Sequence, residues 1–280
     1  MPVTVAENNY GKQAVRLVTV RRRPEFHELK DVTVGIRLEG DFAAAFTEGD
    51  NSGVLPTDTM KNTVYALAAQ HPFEDIEDFG LALTDHFLQA SPGATRAHVE
   101  LTEHLWERID KDGQPHPHSF RRAGSERRIA TVMRDRSSAR VLAGLEDLVV
   151  MKTARSAFEG FPRDRYTTLK ETSDRLLATA VRATWRYSRP YAAFGSLWRE
   201  VRRILLETFA EHDSLSVQHT LYAMGEAVLE TLDVEEIHLS MPNKHHIPVD
   251  LAPFGLENRN EIFVATAEPY GLIEATLRRG

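Results

Sequence analysis

Twelve histidines and no cysteine set the first limit on the chemistry this chain can do. Without a thiol there is no disulfide, thiolate nucleophile, iron–sulfur cluster or cysteine-ligated zinc. The tightest histidine pairs are His116-Pro117-His118 and His245-His246. A His-x-His on a strand can turn both rings to one face. Here Pro117 interrupts the ladder and no third ligand is identifiable, so these histidines read as turn or subunit-contact residues. Asn243-Lys244-His245-His246 follows an alternating run, Ile237 to Met241, and the rigid Pro242. Polar side chains past a strand end line a pocket or form a surface turn. Thr57-Asp58 opens a helical pattern, with Asp58 placed to cap it. Lys12, Arg175 and Gln218 read, one by one, as exposed polar side chains. The clusters Arg21-Arg22-Arg23, Arg121-Arg122 and Arg127-Arg128 lack interleaved aromatics, so they read as solvated faces or salt links rather than an RNA surface. No glycine-rich nucleotide fingerprint, P-loop or Gly-x-Ser-x-Gly elbow occurs.

These side chains need a scaffold. The chain has 280 residues, 42% hydrophobic and 27% charged, which is a globular composition with room for roughly two domains. A net charge of −7 gives no bulk positive field for a nucleic-acid backbone, so any bound anion must be held by a local cluster. No apolar run approaches the roughly 18–20 residues of a membrane span. Residues 1–10 lack a secretory profile, and Leu277-Arg278-Arg279-Gly280 is not a peroxisomal tail; a cytoplasmic location is expected.

Val32, Val34, Ile36 and Leu38 alternate as a half-buried strand, with Val15–Val20 as hairpin partner and 21–27 as the turn region. Met60, Val64 and Leu67 mark one helix. Ile76, Phe79, Leu83 and Phe87 mark another, ending near Ser91-Pro92-Gly93. Extended stretches follow at Ala97–Ile109 and Phe120–Met133, although Leu101, Leu105 and Arg108 also fit a helix. The second half repeats the order. Val141–Met151 and Leu176–Tyr187 read as strands, and Phe194–Leu205 and Val217–Leu232 as helices, with Asp213 or Ser214 capping the latter. Ile237–Met241, Ile247–Leu251 and Ile262–Thr266 extend again. The order ββααββ, twice, predicts an α+β fold with domains 1–136 and 137–280.

Five separated segments have a joint meaning. Tyr10-Gly11-Lys12, VLPTDTMKNTV at 54–64, GFPRDRYTTLKET at 160–172, Ser216-Val217-Gln218 and Pro242-Asn243-Lys244-His245 together closely resemble the uricase (urate oxidase) family, in order and spacing, from about residue 9 to about residue 276. The departures are the missing peroxisomal tail and variable loops around Gln70–Asp75 and Tyr187–Ala192. The resemblance implies tandem tunnelling-fold domains, each an antiparallel four-stranded sheet backed by two helices, assembled as a homotetramer with active sites shared between subunits. It implies oxidation of urate with O2 and water to 5-hydroxyisourate and hydrogen peroxide, with no metal or organic cofactor.

The same resemblance assigns roles. Lys12, Thr57 and His245 match the family's proton relay. Thr57, Asp58, Phe158, Arg175, Val217, Gln218 and Asn243 match its urate contacts, with Phe158 stacking, Arg175 offering two parallel N–H donors, and Gln218 both donating and accepting. Val217 contributes its backbone at a helix start, and Asn243 holds water or peroxide over the ring. A lysine ammonium is a poor base near neutrality unless its surroundings favour the free amine. The rival readings are a pterin-type enzyme of the same fold and a catalytically silent purine- or pterin-binding protein of that fold.

Overall fold

Strand β1 (Asn9–Arg22) turns through 23–26 into β2 (His27–Gly40), and the two pair antiparallel. The alternation read from the sequence is the burial pattern: Val32, Val34, Ile36 and Leu38 are all fully enclosed. A short helix α1 (Ala43–Thr47), unforeseen, precedes α2 (Thr57–Gln70) and α3 (Ile76–Ala90). Ile76, Phe79, Leu83 and Phe87 lie on the buried stripe of α3, meeting Met60 and Val64 of α2 in the same core. The ambiguous stretch around Leu101 is a strand: β3 (Ala94–Lys111) pairs with β2 and with β4 (Gln114–Asp135). Ala97, Val99 and Leu101 alternate into the core, a period-2 demand that outweighs the helical spacing. At the tip of this long hairpin Asp112 and Gly113 both have positive φ, 54° and 77°, the conformation of a two-residue primed turn. The strand order is β1-β2-β3-β4, with α2 and α3 over one face.

The computed structural model describes residues 3–189, 193–266 and 268–280, so positions 190–192 of the second variable loop lie outside the described residues. The chain divides into two compact units, Met1–Gly144 with Arg189–Ser196, and Leu145–Ser188 with Leu197–Gly280. Division by compactness runs through β5 (Ala139–Lys152), whereas the turn between β4 and β5 lies at 136–138.

In the second half of the chain β5, β6 (Leu177–Tyr187), β7 (Val234–Lys244) and β10 (Gly271–Arg278) lie in that order, with helices α4 (Phe194–Glu211) and α5 (Val217–Thr231) between β6 and β7 in the chain. The α+β reading of antiparallel strands with paired helices holds, with one substitution. Ile247–Leu251 and Ile262–Thr266 do not supply the fourth strand. They yield only β8 (His246–Pro248) and β9 (Phe263–Ala265), a separate two-stranded ribbon. Ile247, Ile262 and Val264 are exposed, so their alternation has no core to face. Gly271–Arg278 takes the place instead, with Ile273, Ala275 and Leu277 opposite Met241, Leu239 and Ile237. Among the described residues no helix is long and apolar enough to cross a membrane.

The first unit buries an ionic cluster. Arg128 Nη2 lies 2.5 Å from Glu77 Oε2, Arg128 Nη1 lies 3.2 Å from Asp75 Oδ1, and Asp75 also accepts the Gly195 N–H. Glu77 is wholly enclosed and its Oε1 has no partner among the described residues. Burial raises its carboxyl from 4.5 to about 7, outweighing the attraction of Arg128. The folded chain therefore holds this proton where the unfolded chain releases it. The stabilisation is complete below about 4.5 and is lost as pH rises through about 7. Glu77→Gln should remove a fall of roughly 3 kcal/mol in unfolding free energy between those limits. Denaturant titrations at pH 4.5 and pH 8 check it; equal pH dependence in variant and parent would refute it.

Candidate active site

Lys12 sits at a deliberate irregularity. It pairs with Ile36, but Val15 pairs with Val34, so Gln13 and Ala14 face one residue of β2. Ala14 has φ 59°, the signature of a bulge, which re-aims the neighbouring side chains. Gly11 makes the approach feasible, because a Cβ there would stand 1.8 Å from the Ile36 carbonyl oxygen. Tyr10 fixes the bulge to the next element. Its hydroxyl accepts the Leu55 N–H at 2.8 Å and its ring meets Phe42 edge-on at 4.8 Å.

That bond anchors the residues leading into α2. The expected Asp58 cap is displaced: Pro56 occupies the cap position, with no side-chain hydrogen bond, and Thr57 is the first helical residue. The Asp58 carboxylate turns to Lys61 and Asn62, at 2.5 and 3.0 Å. Its pKa is held below the ordinary value chiefly by the Lys61 hydrogen bond and charge, with Lys12 adding a smaller pull. The first intrahelical bond runs from Met60 N–H to the Pro56 carbonyl, leaving the N–H groups of Thr57, Asp58 and Thr59 at the helix start.

The remaining candidates belong to the second unit. Phe158 and Thr172 exchange backbone bonds at 2.8 and 3.2 Å, which closes the 160–172 segment into a loop. Within it Asp164 Oδ1 accepts the Tyr166 N–H at 2.8 Å and the Thr167 hydroxyl at 3.0 Å, and Gly160 takes φ 71°. Phe158 stacks on Phe161, centroids 5.0 Å apart and 14° from parallel. The Arg175 N–H donates to the Ser156 carbonyl at 2.8 Å, bringing its guanidinium 5.1 Å from the Phe158 ring centroid. Arg175 is half-buried, its Nε has no partner among the described residues, and burial alone lowers its pKa. It stays charged, as guanidinium does in proteins.

The start of α5 reaches this neighbourhood through Ser214. Ser214 accepts the Ala157 N–H at 2.7 Å and donates its own to Arg155 at 3.0 Å, while Asp213 pairs with Arg155. The Asp213 carboxylate is thus held by Arg155, and the Ser214 hydroxyl donates to the Ser216 carbonyl at 3.1 Å, so neither caps α5. Ser216 does, its hydroxyl accepting the His219 N–H at 3.1 Å. One orphan donor is thereby satisfied, and the Val217 and Gln218 N–H groups remain at the helix start. Lys152 steadies the approach, donating to the carbonyls of Phe209, at 3.3 Å, and His212 at the end of α4.

Asn243 is not past the strand end but within β7, between Thr179 of β6 and Gly271 of β10. His245 is exposed just beyond, its carbonyl accepting the Thr266 N–H at 3.0 Å. So Phe158, Arg175, Val217, Gln218, Asn243 and His245 all lie in the second unit, whereas Lys12, Thr57 and Asp58 lie in the first. Other histidines meet only ring to ring: His118 lies 5.8 Å from His27, and His212 4.4 Å from His219. His116 and His118 stack edge-on at 4.5 Å, and among the described residues no three His, Asp or Glu gather as metal ligands. The arginine clusters carry ordinary ion pairs: Arg21 and Arg23 with Glu28, Arg121 with Glu107, Arg122 with Asp31. What the sequence reading missed is the cap at Ser216 and the backbone role of Ser214, both hidden because Asp213, Ser214 and Ser216 are all good cap types.

The uricase family model matches residues 8–133 and again 141–274. The uricase of Arthrobacter globiformis is 48% identical over 278 residues, covering 99% of this chain and 90% of that one. That of Aspergillus flavus is 38% identical, covering 96% and 95%. Among solved structures, Arthrobacter globiformis uricase superposes with TM-score 0.94 at 47% identity over 100% of this chain and 96% of that one. Bacillus sp. TB-90 urate oxidase gives 0.85 at 26% identity, over 97% and 100%. With two family matches spanning both units and relatives aligned almost end to end, the chain belongs to the uricase family.

Proposed function

We propose that this chain oxidises urate with O2 and water to 5-hydroxyisourate and hydrogen peroxide. The observation that carries the reading is Arg175: a half-buried guanidinium over an aromatic ring, with an unpartnered Nε. Such a group has lost part of its hydration without gaining a carboxylate, so it favours a flat anion able to take two parallel N–H bonds. Urate is such an anion. Its faces are apolar enough to stack on Phe158, and its rim of carbonyls and N–H groups suits Gln218 and the helix-start donors at Thr57, Asp58 and Val217.

Ground-state O2 reacts slowly with closed-shell molecules, but an electron-rich urate anion can pass it two electrons singly. Water then adds at the oxidised ring and O2 leaves as peroxide. The protein's work is to remove protons and hold the reactants. Lys12 takes a proton, Thr57 passes it because a hydroxyl donates and accepts at once, and His245 completes the relay. Asn243 holds water or peroxide above the ring. No metal or organic cofactor takes part, and neither a nucleic acid nor a membrane is a partner. Oxygen consumption, urate absorbance and peroxide should all register with chelator-treated protein. Activity abolished by chelation and restored by a metal would overturn the cofactor-free reading.

Binding and chemistry should separate. Lys12→Met and Thr57→Ala should lower kcat far more than they weaken a non-reactive urate analogue. Arg175→Ala should instead raise KM, since each charge-assisted bond it removes is worth roughly 1.5–3 kcal/mol. An unchanged kcat in Lys12→Met would remove that residue from the relay.

The working unit is a homotetramer in which Lys12, Thr57 and Asp58 of one subunit meet Phe158, Arg175, Gln218, Asn243 and His245 of its neighbour. The division of these residues between the two units supports it. So do the outer strands β1 and β10 of the two strand sets, whose edges invite another chain. Thr57→Ala and Arg175→Ala chains, each nearly inactive alone, should regain activity when refolded together, because a mixed interface gathers both defects in one site and leaves its mate intact. Differently tagged chains that co-purify without regaining activity would refute a shared site.

A further inference from the structure

Thr179 is completely enclosed, and its hydroxyl has no hydrogen-bond partner among the described residues. A buried unsatisfied hydroxyl costs folding free energy in the free protein, so its presence asks what it does when the site is filled. The strand register supplies the answer. Thr179 stands directly opposite Asn243, and directly opposed residues of antiparallel strands project to one face with Cβ atoms roughly 4.5–5.5 Å apart. That face is the buried one, shared with the opposed pairs Ala183–Leu239 and Trp185–Ile237. On the other flank of Asn243 stands Gly271, which brings no side chain; a Cβ there would lie 3.9 Å from the Asn243 Cβ. Across the ladder, Thr179 therefore supplies the polar group able to reach the Asn243 carboxamide.

We propose that Thr179 is a positioning residue for Asn243. With the site filled, its Oγ1–H, unpartnered in the free chain, donates to Asn243 Oδ1 and so turns the Nδ2 amino group toward the water or peroxide over the urate face. A carboxamide without such a bond can present either end, and the wrong one offers an acceptor where a donor is needed. The inference rests on the urate-oxidising reading above and adds to it a residue that touches neither urate nor O2.

The test uses full-length chain carrying Thr179→Val, Thr179→Ser, Asn243→Ala, and the Val and Ala changes combined, with kcat, KM and Tm measured for each. Thr179→Val keeps the shape and deletes the donor. It should lower kcat about tenfold, the worth of one ordinary hydrogen bond, with KM within about twofold and Tm unchanged or raised. Thr179→Ser should restore kcat, and Thr179→Val should add nothing once Asn243 is already alanine. Thr179→Ala, read against Thr179→Ser, repeats the comparison without the second methyl if valine crowds the site. Wild-type kcat in Thr179→Val, or a further loss of the same size in the Asn243→Ala background, would overturn the proposal while leaving the urate reading intact. A parent protein that consumes no urate would overturn both.

Discussion

A guanidinium that is drawn from water and given no carboxylate is an unfinished interaction, and among the described residues Arg175 is in that state. The arrangement of the second unit follows from it. Had Asp174, its chain neighbour, paired with it, the site would be self-satisfied. Asp174 instead accepts the Ser156 N–H at 3.2 Å, and its carbonyl accepts the Thr172 hydroxyl at 2.8 Å. The nearby acid is engaged in holding the loop that carries Phe158, which in the proposed reading leaves the cation for urate. In that reading desolvation makes Arg175 selective, since a poorly hydrated cation gains most from an anion that replaces several water bonds together.

Much of this was legible in the sequence, for identifiable reasons. Val32–Leu38 and Ile76–Phe87 carry unbroken periods against a large core, and both elements appear where the spacing puts them. The ribbon of His246–Pro248 and Phe263–Ala265 was misread because alternation reports a period and not whether anything covers the face. The helix caps at Pro56 and Ser216 were misplaced for a related reason. Capping types cluster around helix starts, and which one caps depends on bonds the others have already made. The long segment 160–172 identifies the family, but its own residues fold a loop; the side chains it serves, Phe158 and Arg175, flank it and carry no local signal. Asn243 was seen but not its supporter, because cross-strand partners 64 residues apart are joined only by register.

The two units offer a ligand different things. Both end a helix start with donors to spare, α2 behind Pro56 and α5 behind Ser216, although α2 is the first helix of its pair and α5 the second. In the proposed reading the second unit supplies the fixed features, a ring to stack on and a guanidinium that cannot lose its proton. The first supplies the exchangeable ones, a lysine and a hydroxyl. Keeping them apart has a physical consequence. The charge that anchors the anion is never consumed by the chemistry, so deprotonation can advance without loosening the grip on urate. A site in which one lysine both anchored and deprotonated would weaken binding each time it accepted or released a proton. Separate carriers remove that coupling, and in the proposed shared site neither half does chemistry alone.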